Sequence, residues 1–482
     1  MPLGMMPNVS EPRMESRPAS RFNGKRVHFI GIGGCGMSGL ARMLLDAGAI
    51  VSGSDAGTGP AILELMGRGA QVSRDQTGTL LSAKTDLVVR SAAIKTDNPE
   101  YMAGLKLGLR QMKYAELLGI VMADAVGVAV AGTHGKSTTT AMIGFALVEC
   151  GVDPSIVVGG TVPQLGGSSR SGAGPVFVAE ACEFDRSFHR LHPTIALITN
   201  IEEDHLDCYK DIHEIVASFT AFARLVPPHG LIIAGGNDPK VREALAEVRA
   251  PIEWVGIGAD MNYSARVVGI EQGCYRGQIS HNGVDLGVLS LAVPGEHNLQ
   301  NATMAVAACA ACGVPPEKSM AALAKFTGVD RRMTVMGSIN GATVVDDYGH
   351  HPTEIRATLA ALRGQFKPRK LYCVFQPHQH SRTRFLMEDF ASSFQQADTT
   401  IVPDIFFVRD SEAERQKVSA EDLVTRLQAN GRLAIHLASF GDIVSHLKKV
   451  VGKGDLVVTM GAGNVWQIGK ELAGGRSEET GI

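Results

Sequence analysis

The segment at residues 132–138 combines the residue types that bind the phosphates of a nucleotide. Glycines let backbone amides wrap around phosphates, a lysine reaches the terminal phosphates, and a serine hydroxyl binds Mg²⁺. The segment differs from the general phosphate-loop pattern because Val130 stands at the position of the first glycine. We predict here a site for ATP and Mg²⁺ formed by Gly132, Thr133, His134, Gly135, Lys136, Ser137 and Thr138.

A second glycine motif, G-x-G-x-x-G, lies at residues 31–36 after a β-rich run at 26–32. Backbone amides at such a strand-to-helix turn can approach a pyrophosphate because no Cβ blocks them. By itself the motif also fits a tightly packed turn, or an NAD site in which Asp55 binds a ribose hydroxyl. The candidate binding residues of this Rossmann-like unit are Gly33, Gly34, Gly36, Met37 and Asp55.

Two further polar residues follow predicted strands of the same region. Glu180 comes after the apolar run 176–179, and His205 comes after the run 194–199. Because the carboxyl ends of parallel strands meet at one edge of a sheet, Glu180, His205 and the Ser137 hydroxyl could share one Mg²⁺. The alternative is a surface acid and a core histidine. We interpret Glu203 and Asp204 as ordinary solvated acids.

A polar cluster follows the predicted strand at residues 342–345, just before Pro352, a residue suited to the first position of a helix. It consists of Asp346, Asp347, Tyr348, His350 and His351. Its place at a sheet edge is typical of a functional site. Adjacent histidines could also belong to a transition-metal site, but the sequence shows no third ligand of matching spacing.

Cationic and amide side chains complete the candidate residues. Arg331 and Arg332 lie at a predicted domain seam, where a guanidinium can reach a phosphate or form a surface salt bridge. Asn298, with His297 and Asn301, begins a predicted helix, so helix capping is the alternative role. The residues with positive charge suited to a carboxylate and a developing phosphate are His378, Arg382 and Arg384.

The elements that must position these residues alternate along the chain. Short apolar runs are separated by amphipathic segments of helix length, a pattern that predicts parallel sheets covered by helices. We expect an α/β protein with a mobile tail and three domains. The predicted bounds are 1–21 for the tail and 22–124, 125–329 and 330–482 for the domains.

Composition excludes several classes of protein. Lys and Arg number 46 against 49 Asp and Glu, so the net charge of −3 does not favour nucleic acid as a partner. No run approaches 18 apolar residues and no apolar signal segment begins the chain, so we expect a soluble protein that is neither exported nor bound to membranes. The eight scattered cysteines predict reduced thiols and a cytoplasmic location.

Eight segments in order resemble the Mur ligase family, the ATP-dependent amide-forming enzymes of peptidoglycan precursor synthesis. They are GIGGCGM at 31–37, GTHGKSTTT at 132–140, EACEFDRSF at 180–188, TNIEEDHLD at 199–207, PGEHNLQNA at 294–302, DRRM at 330–333, DDYGHHPTEI at 346–355 and FQPHQHSRTR at 375–384. The resemblance implies a Rossmann-like N-terminal domain for a UDP-sugar, a central ATPase domain with a mostly parallel sheet, and a Rossmann-like C-terminal domain for an amino acid.

The resemblance also implies roles for individual residues. It assigns the first glycine motif to the UDP pyrophosphate, Asn298 to adenine, and Arg331, Asp346 and Tyr348 to the nucleotide. Glu180 and His205 would bind the metal together with Ser137, and Arg382 and Arg384 would face the amino-acid carboxylate or an acyl phosphate. The implied catalytic residues are Lys136, His205, His350 and Arg382.

The implied reaction phosphorylates the lactyl carboxylate of UDP-N-acetylmuramate with ATP and joins it to L-alanine. The nearest alternative in the family attaches a murein tripeptide instead. An NAD-dependent dehydrogenase would leave Lys136, Glu180 and His205 unexplained, and a nucleotide-switch protein would hydrolyse ATP without an amino acid. Cys182 and Phe184 depart from the family's acidic stretch, which puts any auxiliary metal role there in doubt. We expect a monomer or a weak homodimer.

Overall fold

The computed structural model describes residues 20–258 and 261–474. Only the last two residues of the predicted 1–21 tail lie within these ranges, so that prediction falls outside the described residues. The chain forms two compact units that divide between Leu117 and Leu118. No helix among the described residues has the length and apolar character needed to cross a membrane.

The first unit contains a five-stranded parallel sheet with the strand order β3-β2-β1-β4-β5. This order and the helical connections are those of a doubly wound, Rossmann-like sheet. The elements are β1 (Arg26–Ile30), α1 (Cys35–Asp46), β2 (Ile50–Ser54), α2 (Pro60–Gly67), β3 (Gln71–Ser73), β4 (Leu87–Arg90), α3 (Pro99–Lys106), β5 (Gln111–Lys113) and α4 (Tyr114–Met122), which crosses the unit boundary.

The second unit begins with a ten-stranded sheet of order β15-β14-β13-β12-β11-β10-β6-β9-β7-β8. Its elements are β6 (Val126–Ala131), α5 (Lys136–Glu149), β7 (Ser155–Val162), β8 (Gly167–Arg170), β9 (Val176–Glu180), β10 (Ile195–Ile198), α6 (Ile212–Ala223), β11 (Leu231–Gly235), α7 (Pro239–Leu245), β12 (Ile252–Ile257), β13 (Tyr263–Glu271), β14 (Cys274–His281), β15 (Val284–Pro294), α8 (Glu296–Ala311) and α9 (Pro316–Leu323). Strands β6, β7 and β9–β13 pair in parallel.

Strands β13, β14 and β15, which pair with one another in antiparallel fashion, extend this sheet and were absent from our prediction. Each reversal is a two-residue turn with positive φ at both residues: 49° and 75° at Gln272 and Gly273, and 49° and 80° at Asn282 and Gly283. Such turns match the right-handed twist of hairpin strands. The Asn-Gly pair is the sequence signal that could have revealed them.

A six-stranded sheet of order β16-β17-β21-β18-β19-β20 completes the second unit. Its elements are β16 (Thr334–Ile339), β17 (Ala342–Asp347), α10 (Pro352–Phe366), β18 (Leu371–Phe375), α11 (His380–Phe385), α12 (Met387–Ala391), β19 (Thr399–Val402), α13 (Glu412–Arg415), α14 (Ala420–Ala429), β20 (Ala434–His436), α15 (Phe440–Val450), β21 (Leu456–Met460) and α16 (Trp466–Leu472). Only β16 is antiparallel to its neighbour among these strands.

Apolar cores hold the sheets of the second unit against their helices. Helices α5 and α8 are buried along nearly their whole length against the ten-stranded sheet. Separate apolar clusters contain residues of the six-stranded sheet and its helices. The predicted α/β class with mostly parallel sheets is confirmed, and Pro352 does begin α10. The exact domain bounds remain a prediction.

Candidate active site

The phosphate-binding loop connects β6 directly to α5, as the sequence predicted. Gly135 precedes α5 with φ of 82°, and Gly132 has φ of 134°. A Cβ on Gly132 would lie 1.9 Å from Thr199 Oγ1, so no larger residue fits there. Thr138 lies in the first turn of α5. The loop therefore depends on glycine at both positions for its path.

Residues after β10 hold the loop in place. Asn200 Oδ1 accepts from the His134 amide at 2.8 Å, and Thr199 Oγ1 donates to the His134 carbonyl at 2.6 Å. The Glu202 amide donates to Thr133 Oγ1 at 2.9 Å. Our sequence reasoning missed Asn200; the available signal was its place directly after a predicted strand.

Lys136 is bound to a carboxylate that the sequence reasoning also missed. Its Nζ lies 2.9 Å from Glu183 Oε1 and donates to the carbonyls of Gly132 and Thr133 at 2.6 and 3.0 Å. Burial opposes the charge on the lysine, but the nearby Glu183 carboxylate raises the pKa of Lys136 above its ordinary value. Lys136 is therefore a cation that already has an internal counter-ion.

The residues predicted to bind Mg²⁺ lie in two places: Ser137 contacts Glu180, whereas His205 lies beside Glu183. Ser137 Oγ donates to Glu180 Oε2 at 2.9 Å, and the Gly159 amide donates to the same oxygen at 2.8 Å. His205 lies next to Glu183, with Nε2 3.8 Å from Glu183 Oε1. Its Nδ1 is buried and makes no hydrogen bond within the described residues. A hydroxyl beside a carboxylate suits the oxygen preference of Mg²⁺.

Asp204 is not a solvated acid, so that interpretation is wrong. Its Oδ1 accepts from Arg382 Nε and Nη2 at 3.1 and 2.7 Å, and only 8% and 7% of the two side chains are exposed. Burial opposes the charge, but the Arg382 guanidinium and His205 hold the pKa of Asp204 well below its usual range. Glu203 is exposed, as predicted. A pocket between residues 203–207 and α11 is lined by both members of the Asp204–Arg382 pair.

Two histidines beside this pair are neutral at pH 7. Burial, opposed by Glu354, lowers the pKa of His350 to about 4, and burial together with His350 and Arg382 lowers the pKa of His378 to about 3. Arg382 Nη1 donates to His378 Nδ1 at 3.2 Å. His350 Nδ1 lies 3.3 Å from the Tyr348 carbonyl, which leaves Nε2 as the acceptor of the ring.

The remaining nucleotide candidates fall into two groups. Arg331 Nε donates to Asp346 Oδ2 at 3.0 Å, and its guanidinium lies 4.9 Å from the centre of the Tyr348 ring. Asn298 Nδ2 donates to the Pro294 carbonyl at 2.7 Å and accepts from Asn301 at 3.2 Å. No side chain caps α8, so the capping alternative is wrong.

Asn301 lies close to the phosphate-binding loop, since a Cβ added to Gly135 would be 2.8 Å from Asn301 Oδ1. The Asn298–Asn301 pair therefore borders the loop. Arg384 belongs to different surroundings. It pairs with Glu414 at 3.1 Å and covers the Phe385 ring at 4.2 Å. The structure thus brings Asn298 close to the loop, whereas the contacts of Arg384 are separate from those of Arg382.

In the first unit, the glycine loop is hydrogen-bonded to the Asp55 carboxylate. The Gly33 amide donates to Asp55 Oδ2 at 2.8 Å. A Cβ on Gly36 would lie 2.4 Å from the Tyr114 hydroxyl, so the glycine permits this close approach. Gly34 precedes α1, and Met37 lies within α1 with only 3% of its surface exposed. Met37 therefore supports the loop from the core side.

His134 joins the loop to α10. Its Nε2 lies 3.6 Å from Glu202 Oε2 and its Nδ1 lies 3.5 Å from Glu354 Oε1, while its ring centre is 4.6 Å from that of His351. Burial opposes protonation, but the nearby Glu202 and Glu354 carboxylates raise the pKa of His134 to about 9. The loop histidine is therefore a cation between two acids.

The sequence matches three family models that follow one another along the chain. Residues 26–125 match the Mur ligase family catalytic domain, residues 130–309 match the Mur ligase middle domain, and residues 331–463 match the Mur ligase glutamate ligase domain. Together the three models include the glycine loop of the first unit, the phosphate-binding loop and the Asp204–Arg382 pair.

Similar proteins extend over nearly the whole chain. UDP-N-acetylmuramate–L-alanine ligases from Pelotomaculum thermopropionicum and Caldanaerobacter subterraneus subsp. tengcongensis are 43% and 40% identical over 93% of this chain and 97% of their own. The crystal structure of UDP-N-acetylmuramate-alanine ligase from Thermotoga maritima is similar with a TM-score of 0.77 and 25% identity, covering 93% of this chain and 98% of that one. A murein peptide ligase from Psychrobacter arcticus gives 0.70 and 27% over the same shares. The chain belongs to the Mur ligase family.

Proposed function

We infer that this chain joins L-alanine to the lactyl carboxylate of UDP-N-acetylmuramate at the expense of ATP, a step of peptidoglycan precursor synthesis and hence of cell-wall growth. The observation that carries the inference is the 40–43% identity to relatives of that activity over 97% of their length. The phosphate-binding loop and the polar residues around it supply the chemistry that such a reaction needs.

The first step activates the carboxylate, because an amine does not displace oxide from it. A carboxylate oxygen attacks the γ-phosphorus of ATP, and the bond from that phosphorus to the β-phosphate oxygen breaks. ADP departs, and the carboxylate has become an acyl phosphate. Lys136 and Arg331 would neutralise the phosphate charges, and such positioning and charge neutralisation dominate the catalysis of phosphoryl transfer. Ser137, Glu180 and His205 would hold Mg²⁺, which neutralises charge on the phosphate oxygens when bound.

The second step forms the amide. The neutral amine of L-alanine attacks the acyl carbon, and inorganic phosphate leaves. The pocket beside Asp204 and Arg382 suits an amino acid. The carboxylate of the amino acid can bind the Arg382 guanidinium, and its nitrogen can bind the Asp204 carboxylate. His378 remains a candidate for binding the amino acid because it contacts the Arg382 guanidinium. Neutral His350 has a free Nε2 that can accept the proton released by the attacking nitrogen.

The nucleotide and the sugar nucleotide would bind at separate groups of residues. Asn298, Asp346 and Tyr348 are our candidates for contacts with ATP. In the first unit, backbone amides of the glycine loop would bind the UDP pyrophosphate at Gly34 and Gly36, and at Gly33 once its amide leaves Asp55. Arg384 remains a candidate for the acyl phosphate only if it leaves Glu414.

We propose a cytoplasmic location and a monomer or weak homodimer. The eight cysteines are scattered along the chain without a repeated pair spacing, which suits a reducing compartment. UDP-N-acetylmuramate and L-alanine would be its partners, and the near-neutral charge balance argues against nucleic acid.

The alternative is attachment of a whole murein tripeptide, favoured by the similarity to the Psychrobacter arcticus murein peptide ligase. Phosphate release from ATP and Mg²⁺ in the presence of UDP-N-acetylmuramate separates the two, when each amine is added in turn. Release that requires L-alanine, and that Lys136→Ala abolishes, supports our inference. Release that requires the tripeptide would assign the alternative, and release without any amine would leave only an ATPase.

A further inference from the structure

A second group of metal-binding side chains lies beside the phosphate-binding loop, apart from the Ser137–Glu180 pair. It consists of His134, Glu202 and His351, each of which offers one ligand atom within 4.8 Å of the other two. His134 Nε2 is 3.6 Å from Glu202 Oε2, and His351 Nδ1 is 3.8 Å from the same oxygen. Sequence analysis singled out His134 and His351 for other reasons and missed Glu202, because the three residues lie in distant segments of the chain.

The other ring nitrogen of each imidazole is held by a neighbouring residue, which orients His134 Nε2 and His351 Nδ1 toward Glu202. His134 Nδ1 faces the Glu354 carboxylate at 3.5 Å, and His351 Nε2 faces the Glu203 carbonyl at 3.1 Å. A metal-binding histidine almost always donates its other ring N–H to a carboxylate or a carbonyl, as both do here. His134 Nε2 is buried and makes no hydrogen bond within the described residues. Because the two acids favour the protonated ring, an ion that binds Nε2 must displace one proton from His134.

The Glu202 carboxylate is also oriented, and it remains accessible. Its Oε2 accepts a hydrogen bond from Thr353 Oγ1 at 2.6 Å, and 37% of the side chain is exposed. An ion can therefore reach the group from solvent. His351 Nδ1 accepts a longer bond of 3.3 Å from the Thr353 amide, which a metal ion would replace.

Two imidazoles and one carboxylate are the ligand set of catalytic zinc sites, with the fourth position left to water or substrate. In a tetrahedral zinc site the ligand atoms lie about 3.3 Å apart. The separations of 3.6 and 3.8 Å from Glu202 exceed this by a few tenths of an ångström, and the two histidine nitrogens lie within 4.8 Å of each other, so they must move closer to bind one ion. Mg²⁺ is a poorer match, because it prefers an octahedral shell of oxygen ligands.

We propose that His134, Glu202 and His351 bind a transition-metal dication of the Zn²⁺ type. His134 lies in the phosphate-binding loop and Glu202 follows β10, whereas His351 precedes α10 next to the six-stranded sheet. The ion therefore ties the loop to the start of α10. Its binding requires neither ATP nor the sugar nucleotide, so the proposal stands apart from the ligase reaction.

The test is a titration of the full-length protein with Co²⁺, whose visible absorption reports tetrahedral coordination, followed by displacement with Zn²⁺, all in excess Mg²⁺. Glu202→Gln keeps the acceptor for Thr353 but removes the charged ligand. His351→Asn keeps a residue that can cap α10 but removes the imidazole. Glu203→Gln is the matched control, because its exposed carboxylate is outside the group.

We expect one tetrahedral Co²⁺ per chain, bound at least tenfold more weakly by Glu202→Gln and by His351→Asn and unchanged in Glu203→Gln and Glu180→Gln. Equal binding by wild type and both ligand variants would overturn the proposal. Loss in Glu180→Gln alone would also overturn it, because the ion would then occupy the Ser137–Glu180 pair. So would the absence of binding by the wild type at micromolar Co²⁺ and Zn²⁺.

Discussion

The Lys136–Glu183 ion pair places an internal anion where the phosphates of ATP are expected to bind. Its two members are 2.9 Å apart and largely buried, so each is a strong partner for the other. ATP must compete with Glu183 for the ammonium group. We predict that Glu183→Gln lowers the KM for ATP roughly fivefold to tenfold, the order expected from losing one competing charge contact.

Steady-state kinetics with ATP as the varied substrate measures this effect, and Glu203→Gln controls for the loss of one negative charge nearby. A higher KM for ATP in Glu183→Gln would contradict the interpretation. It would mean that Glu183 helps to bind the nucleotide or its metal.

The buried pair of Asp204 and Arg382 joins segments that are 178 residues apart. Removing one charge of such a pair leaves the other buried without a partner, which costs about 3 kcal/mol. We predict that Asp204→Asn lowers the free energy of unfolding by this amount in a urea titration. A loss below about 0.5 kcal/mol would show that the pair is open to solvent in solution.

The residues missed from the sequence share one property. Glu183, Asn200 and Asp204 stand among several polar residues that follow strands, and sequence order does not say which of them become buried. That depends on β9, β6 and β10 lying side by side and on α11 packing against residues 203–207. The contact between Ser137 and Glu180 was predictable, because Ser137 belongs to the loop that follows β6 and Glu180 ends the neighbouring parallel strand β9.

The strand–loop–helix element of β6 and α5 depends on a glycine that tolerates no Cβ. Gly132→Ala would place that atom 1.9 Å from Thr199 Oγ1, in addition to the strain of a positive φ. Gly151→Ala is the matched control, because Gly151 has φ of 79° but open space around it. We predict a loss of about 1–2 kcal/mol for the control from strain alone.

Gly132→Ala should lose at least about 2 kcal/mol more than the control, because displacing packed backbone adds to the strain. Thermal or urea unfolding of both variants measures the difference. Equal losses would mean that the loop can shift away from Thr199 without cost.

Most elements were predictable because the apolar runs and the glycine turns between them indicate the same strands and helices. The predicted strand at 342–345 is the first part of β17, and α5 begins directly after the phosphate-binding loop at Lys136, because Gly135 already turns the chain. The hairpins β13–β15 were missed because their alternation is weak and their faces are partly exposed.

At the scale of the whole molecule, buried neutral histidines make stability depend on pH. The pKa of His378 falls from an unfolded value near 6.5 to about 3, chiefly through burial. The unfolded chain then binds the additional proton below pH 6.5, so stability is full above that pH and declines as the pH falls toward 3. The decline from this one group is about 3 kcal/mol between pH 6.5 and pH 4.

We predict that His378→Gln loses less stability over that pH interval than the wild type, whatever its stability at pH 7. His229→Gln, at an exposed histidine, should follow the wild-type profile. Urea unfolding at pH 7, 5.5 and 4 measures the slopes. Parallel profiles for wild type and His378→Gln would show that folding leaves the pKa of His378 unchanged.

We infer that the whole molecule forms an amide through an acyl phosphate. An isotope experiment tests this with UDP-N-acetylmuramate that carries ¹⁸O in its lactyl carboxylate, ATP, Mg²⁺ and L-alanine, followed by mass analysis of the phosphate and of the coupled product. We expect one ¹⁸O per turnover in inorganic phosphate and L-alanine in amide linkage in the product. Unlabelled phosphate released together with coupled product, or ATP consumed without coupled product, would contradict it.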